Sequence, residues 1–561
     1  MIKHSYLVWV VALVLGWGAD FLFWGKPVGI SLPIYLTACL LGGGLVLLAS
    51  GIKPALKSLW LVALFFFFAI ISSIRLEPLT LGLGIAGAFI SLGLLAVTYR
   101  GGGWASYRLS DYFRQALTLV VSIISLPIEF YRQTRPDTSW ARRIPIKGVL
   151  RGVLIALPVL VIFLALLSAG DVYFGEKVND AFHQVFGIHV PEQLLRLVII
   201  LAVTYALSGV ILHAGLKSDD GELVNPGKPL VRRFLGFTEA AVIMGSISLL
   251  FLVFVIFQFR YFFGGQALID LGDYTYSEYA RSGFNELISV AFLSLLVIIG
   301  LGSLTQREAS WQKRVYSGLS VGIALLVIVI LVSAYQRLML AISWHGFSRL
   351  RLYPNVFLIW VGVLFVAVIV LEVLRRERHF ALAMLLAAFG FAITLSILNV
   401  DAAIARHNSY VFNEERPDIN VNYLTTLSTD AIPGLVQAFN DPGLSEFRRT
   451  GVGAALKCYL QSSWYKDYDW YTWRGFSYSR RAAVNALNQV APSLQGYQVN
   501  EPQYRGQNYE VTTPDGKISY PCDQHSPRYR LVPELLPGTG GRPPTIAPPP
   551  TQSPLPKTGG G

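Results

Sequence analysis

Apolar runs of about 20 residues, the length an α-helix needs to cross a hydrocarbon core roughly 30 Å thick, recur from Tyr6 to about Asn399 and then stop. They predict eleven membrane-crossing helices, at 6–24, 29–49, 57–74, 78–98, 148–168, 193–213, 239–259, 283–303, 316–335, 354–374 and 380–399. Beyond residue 400 the pattern changes to short amphipathic segments. "STDAIPGLVQAF" opens with Ser428, Thr429 and Asp430, all capable helix N-caps, and continues apolar at helical spacing. Helices are also predicted over "LSEFRRTGVGAALKCYLQSSW" and "SRRAAVNALNQV", and a hairpin over "NYEVTTPDGKISYP" around Pro514, Asp515 and Gly516. After about Pro533 the chain is rich in Pro, Gly and Thr with almost no large apolar residue, a composition that predicts disorder.

The connections fix an expected orientation. With Met1 inside, the inner segments 1–5, 50–57, 99–151, 214–238, 303–315 and 375–379 carry 22 Lys+Arg, against 9 on the opposite side. Cytoplasmic loops hold the basic excess, and an odd number of crossings then puts residues 401–561 outside. "DYFRQALTLVVSIISLPIEFYRQ", residues 111–133, is apolar enough to suggest a twelfth crossing. Pro127 and Glu129 interrupt it, and basic residues flank both ends, from Arg100, Arg108 and Arg114 to Arg132, Arg135, Arg142 and Arg143. That pattern suits a helix lying in the cytoplasmic interface. The expected fold class is an all-α polytopic membrane protein, N-in and C-out. Its sections are a four-helix part (1–98), a basic loop with an interfacial helix (99–147), a seven-helix core (148–400), a small mainly helical extracytoplasmic domain (401–533) and a disordered tail (534–561).

Composition agrees: 53% of residues are apolar, 14% are charged and mean hydropathy is +0.50. The net charge of +12 does not point to nucleic acid. Residues from Asp401 onward hold 15 Lys+Arg and 14 Asp+Glu, so the excess lies between the spans, where it orients helices and meets anionic lipid. The basic start and apolar run of "MIKHSYLVWVVALVLGWGA" resemble a signal peptide, but a second span follows at once, so a retained helix is expected. The pattern Leu-Pro-x-Thr-Gly occurs at Leu536–Gly540 and Leu555–Gly559, with no apolar segment and basic tail after it, and is read as part of the flexible tail. Cys458 and Cys522 both fall in the expected outer domain, where an oxidising compartment permits a disulfide; two free buried thiols are the alternative.

No Walker A loop, His-Glu-x-x-His, Cys-x-x-Cys or nucleophile elbow is present, and the eight histidines are scattered. No cofactor and no metal site is expected. Ionisable residues at the mouths of spans are the stronger candidates, because charge near hydrocarbon needs a partner or a wet cavity. Glu239 opens the seventh span and Arg260 closes it; Arg281 and Glu286 enter the eighth. "YQRLMLAISWHGFSRLRLY", residues 335–353, reads as an aromatic and basic outer loop carrying Arg337, Arg349 and Arg351. Those arginines could bind lipid headgroups, contact the outer domain, hold an acidic ligand, or simply snorkel. In "NVDAAIARHN", Asp401, Arg406 and His407 stand where the last span meets the outer domain, either as a site or as the capped end of a junction helix.

In order along the chain, "LGFTEAAVIMGSISLLFLVFVIFQFRYFFGG", "YTYSEYARSGFNEL", "RLMLAISWHGFSRLRLY", "NVDAAIARHN" and "VNYLTTLSTDAIPGLV" resemble the bacterial membrane family filed as domain of unknown function 4153/4173. The resemblance covers roughly residues 145–490 and departs at Trp344-His345-Gly346-Phe347-Ser348, where the family pattern reads Tyr-Gly-Leu-Thr. It implies the architecture and carries no activity, substrate or cofactor. The first functional expectation is a non-enzymatic protein of the bacterial plasma membrane, a scaffold whose outer domain interacts with or senses the envelope. The second is a transporter or lipid-handling protein acting through Glu239, Arg281, Glu286 and Arg351. Expected partners are membrane lipids and an envelope protein or small ligand, and no nucleic acid; the oligomeric state is left open.

Overall fold

The computed structural model describes residues 5–134, 192–219, 234–263, 284–410, 417–466, 473–500 and 509–522, with a few isolated positions between them. It is an all-α membrane bundle carrying a small helical unit at one end. In chain order the bundle contains α1 (Ser5–Phe23), α2 (Ser31–Ala49), α3 (Leu59–Ile74), α4 (Pro78–Val97), α5 (Leu109–Thr134), α6 (Glu192–Leu216), α7 (Phe237–Phe263), α8 (Phe284–Leu304), α9 (Ser310–His345), α10 (Arg349–Val373) and α11 (Phe380–Leu398). All eleven are long and apolar enough to cross a membrane. Their outer faces carry exposed Val14, Leu45, Leu249, Leu250, Leu293 and Val363. Apolar side chains on both the packed and the open faces of one helix are tolerable only where the surrounding medium is hydrocarbon.

The bundle has two distinct ends. At the first, which holds Ser5, the turns after α2, α4, α6, α8 and α10 are knitted together: the Ala55 N–H donates to the Tyr99 carbonyl (2.7 Å), Gly101 to Ser218 (3.2 Å), and Arg307 forks onto Glu377 (3.0 and 3.1 Å). The second end holds the α1–α2 and α3–α4 turns, the start of α6, the α9–α10 turn and the whole C-terminal unit. Close helix contact within the bundle relies on small residues and interhelical polar bonds. Gly16 of α1 lies so near Thr204 of α6 that a Cβ would come within 2.2 Å of its hydroxyl, and one turn further Arg196 pairs with buried Asp20 at 2.6 Å.

Helix α5 has the length and composition to cross, and its neighbours lie between the first end and the middle of the bundle. Leu119 meets Gly93 near the end of α4; Ile123 lies against Gly209; the Ile124 carbonyl accepts from the Tyr205 hydroxyl; Tyr131 packs edge-on against Trp9 at the start of α1. A helix of 26 residues is about 39 Å long at 1.5 Å per residue, and its contacts run between the first end and the middle of α6. The chain thus leaves α5 at the first end and enters α6 at the second. The span expected at 148–168 falls between them, outside the described residues, as does the tail expected at 534–561.

One expectation about loops needs correction. Residues 335–353 form no loop: α9 continues 36 residues to His345, the chain turns through Gly346–Ser348, and α10 begins at Arg349. The long apolar run stops at the polar pair Gln336–Arg337, but nothing in "YQRLMLAISWH" breaks a helix before Gly346, whose φ of 71° is the left-handed conformation suited to glycine.

Asn399, at φ 52°, makes a joint between α11 and α12 (Val400–Tyr410). The unit continues through α13 (Pro417–Thr425), α14 (Ile432–Phe439), α15 (Glu446–Gln461) and α16 (Tyr478–Val490) to an antiparallel sheet of β1 (Gln498–Asn500), β2 (Tyr509–Thr512) and β3 (Ser519–Cys522). The hairpin predicted around Pro514–Gly516 is β2–β3, with Val511 opposite Tyr520; α12, α13 and β1 are additions. The unit's core of Ile404, Leu424, Leu435, Leu456 and Leu487 runs without a break into Leu352 and Val356 of α10 and Leu395 of α11.

Candidate functional site

The junction between bundle and C-terminal unit concentrates buried charge. Arg349, in the first turn of α10, sends its Nε to Asp401 Oδ1 (2.8 Å) and a terminal nitrogen to Oδ2 (2.5 Å), the two-pronged geometry that a planar guanidinium offers a carboxylate. Asp401 is fully buried and also accepts the Ser428 N–H at 2.6 Å. The backbone N–H of Arg349 donates to the Tyr423 hydroxyl at 2.7 Å. One residue of the bundle therefore grips α12 and α13 and, through Asp401, reaches the Ser428 turn. The Tyr423 hydroxyl is held above its ordinary pKa by burial, against the lowering effect of the Arg349 N–H, and so stays neutral.

Two further acids complete the joint. Glu77, 1% exposed, caps α4 by accepting the N–H groups of Leu79 (2.9 Å) and Thr80 (2.7 Å) and the Thr80 hydroxyl, and it also accepts from the Tyr353 hydroxyl one turn along α10 from Arg349. Asp430 accepts the N–H groups of Leu76 (2.8 Å) and Glu77 (2.9 Å), which ties the C-terminal unit to the α3–α4 turn. Burial raises the Asp430 carboxyl above the usual carboxylate range, and its backbone donors and Arg75 only partly offset this. Thr429 and Ser479 share a 2.7 Å hydroxyl bond beneath it, and Arg75 Nε donates to the Ser396 carbonyl at 3.1 Å.

A third clasp uses an amide in place of charge. Asn408 accepts the Phe347 N–H (2.9 Å) and donates to the Phe347 carbonyl (2.8 Å), pairing with that backbone as a neighbouring strand would. This clasp falls on the Trp344–Ser348 stretch. His407 lies against the Phe347 ring with centroids 4.1 Å apart, and burial lowers its pKa. Arg406 is exposed along α12, with its stem against Gly434 and Nε 3.4 Å from the Ala402 carbonyl. Arg351 donates to the Gly346 carbonyl at 3.0 Å and braces the same turn.

The remaining candidates lie apart. Arg337, on α9, donates to Gln258 of α7 at 2.9 Å, an oxygen that Ser333 also reaches. Glu239 is exposed at the first end, where it accepts the Gly236 N–H at 3.0 Å and caps α7. Glu286 is exposed in the first turn of α8 at the opposite end. Arg260 falls in the last turn of α7, and Arg281 lies outside the described residues. Glu239 and Glu286 thus share no cavity with Asp401 and Arg351. Cys458 and Cys522 are joined in a disulfide, with Cα atoms 5.5 Å apart, that ties α15 to β3.

The sequence pointed to Arg349 and Asp401 but not to Glu77, Tyr353, Tyr423, Asn408 or Asp430 as partners. The N-cap pattern at Ser428–Asp430 marks one of them, and the Glu-Pro pair opening α4 is a local signal that could have found Glu77. Among the described residues no group of three His, Cys, Asp or Glu side chains could hold a metal ion. All three junction acids are occupied with backbone and side-chain donors, a chemistry of fastening two parts.

The bundle and its docked cap define a multi-pass integral membrane protein. Residues 34–438 match a family model described as domain of unknown function 4153, and the chain belongs to that family. The match takes in Glu77, Arg349, Tyr353, Asp401, Tyr423 and Asp430 and stops within α14. No curated protein and no solved structure matches the chain.

Proposed function

We propose that this protein is a non-enzymatic scaffold of the bacterial plasma membrane that carries a folded extracytoplasmic head for interaction with, or sensing of, envelope components. The observation that carries this reading is the Arg349–Asp401 clasp set in a core common to bundle and head, which makes the head a rigid fixture. A rigid mount transmits a change at the head into α10 and α11, or holds the head at fixed height above the bilayer. Basic residues gather in the connections at the first end, which by the positive-inside rule supports a cytoplasmic first end and an external head. The transporter reading has less support, since Glu239 and Glu286 are exposed at opposite ends.

Photo-crosslinking from exposed head positions, Tyr478 and Tyr410, in intact cells tests the role. The expected result is discrete adducts with an envelope component, lost in Arg349→Ala at equal protein level. Absence of adducts from both positions, together with solute flux in vesicles abolished by Glu286→Gln, would replace the scaffold by the transporter. Reporter fusions after residues 140, 225, 270 and 410 test the sidedness separately.

A further inference from the structure

Within the spanning belt, α8 packs along α9, α9 along α10, α10 along α11 and α11 against α4, while α8 stands off from α10 and α11. The gap is a cavity of about 400 Å³ walled by Leu83 of α4, Ala291 and Phe292 of α8, Trp360 of α10, and Ala388 and Phe391 of α11. That volume falls in the range of small-ligand sites, roughly 300–1,000 Å³.

Three features specify what it takes. First, its wall is dry. The one side-chain nitrogen or oxygen in the lining, Trp360 Nε1, is already committed to the Thr394 hydroxyl at 3.0 Å, and the Met384 thioether is only a weak acceptor, so water or a polar solute would be poorly held. Second, it is shaped by a fixed residue. The Trp360 indole lies on Gly390, where a Cβ would come within 2.2 Å of the ring, and Thr394 in turn donates to the Gly390 carbonyl at 2.8 Å. Third, it opens sideways at mid-depth. Its α10 lining, from Phe357 to Phe365, surrounds the midpoint of that helix, and Phe292 and Phe357 on the rim are 60% and 38% exposed. A cavity at that depth faces the hydrocarbon of the bilayer, far from headgroups.

We propose that this cavity is a lipid site, in which one acyl chain of a membrane phospholipid lodges against Trp360 between α8, α10 and α11. Hydrocarbon is the only abundant chemistry at that depth, and an ordered chain here would replace the contacts that α8 does not make with α10 and α11. This inference does not depend on the scaffold role.

The test uses the full-length protein in nanodiscs containing a phospholipid with a mid-chain diazirine, followed by irradiation and peptide mapping. Adducts should concentrate on the α10 and α11 lining over the exposed α7 positions Leu249 and Leu250. Ala388→Trp should reduce cavity labelling about tenfold, and the milder Ala388→Leu less, with α7 labelling unchanged. Monodisperse elution of either variant shows that it is folded, and the Leu variant serves if the Trp variant is not. Equal labelling of cavity and α7 would mean only bulk lipid contact and overturns the site. So would crosslinking of Ala388→Cys to residues 148–168 or to a second copy, since the occupant would then be protein.

Discussion

Arg349 and Asp401, 52 residues apart, meet through two hydrogen bonds of 2.8 and 2.5 Å across the boundary between bundle and head. The carboxylate is wholly buried and the arginine side chain only 18% exposed, so neither charge can fall back on water if the other is lost. Removing one partner of such a pair typically costs about 3–5 kcal/mol, because a desolvated charge remains. Arg349→Ala should therefore lower the thermal midpoint in detergent sharply and expose the head to proteolysis near residue 410. Arg349→Ala combined with Asp401→Asn should recover part of the loss, whereas independent, additive losses would show that the two side chains are not coupled.

The Tyr353 bond to Glu77 is a second joint, made by a neutral donor to a carboxylate already loaded with backbone N–H groups. Tyr353→Phe deletes one charge-assisted bond and should cost about 1.5–3 kcal/mol. Glu77→Gln keeps an acceptor for the α4 cap and should cost less than Glu77→Ala, which strips the cap and leaves the Tyr353 hydroxyl unpaired. Denaturation midpoints of the three variants check that order.

How these parts were legible follows from the range of the forces. A crossing helix declares itself in about 20 consecutive residues, so the bundle can be read from local hydropathy. The same signal misplaced the end of α9, because it reports where hydrocarbon stops and not where helical hydrogen bonding stops. The junction's caps at Ser428 and Glu77 have a local pattern, but its pairings have none. Tyr353 meets Glu77 across 276 residues and Asp430 meets Leu76 across 354, and no periodicity encodes such pairings. Arg349 and Asp401 stand out singly, as charges at span ends; that they belong to each other depends on how α10 and α12 pack.

The placement of α5 rests on close approach at Gly209, where a Cβ would come within 2.6 Å of the Ile123 backbone. Gly209→Leu cannot be accommodated by a side-chain shift and should force α5 away from α6, at about 1–3 kcal/mol for overpacking. Cysteines placed on α5 should then become more reactive to a water-soluble maleimide, while Gly245→Leu, where nothing crowds the glycine, should leave both stability and labelling alone.

Asp430 sets a pH dependence of definite sign. Its folded pKa is raised by burial, so the folded state holds the proton more tightly than the unfolded chain does. The stability this contributes is fully present below the unfolded value near 3.8 and is lost as pH rises through the raised folded value. Other groups titrate in the same window, but Asp430→Asn removes this one and keeps an acceptor for the Leu76 and Glu77 N–H groups. The variant should gain on the wild type as pH rises from 4 towards neutrality. Thermal midpoints measured in parallel check it, and a difference independent of pH would mean that Asp430 does not titrate there.

The Cys458–Cys522 disulfide closes a separation of 64 residues around α15, α16 and the small sheet. A cross-link of that span should stabilise the head by about 2–4 kcal/mol, chiefly by restricting the unfolded chain. Cys458→Ser with Cys522→Ser should lower the head's midpoint accordingly and leave the bundle assembled. The bond also reports sidedness, because it forms and persists in an oxidising compartment. Protein extracted from cells with thiols trapped and then denatured should take up one maleimide, on Cys39, and three after reduction. Three without reduction would place the head in a reducing compartment and reverse the proposed orientation.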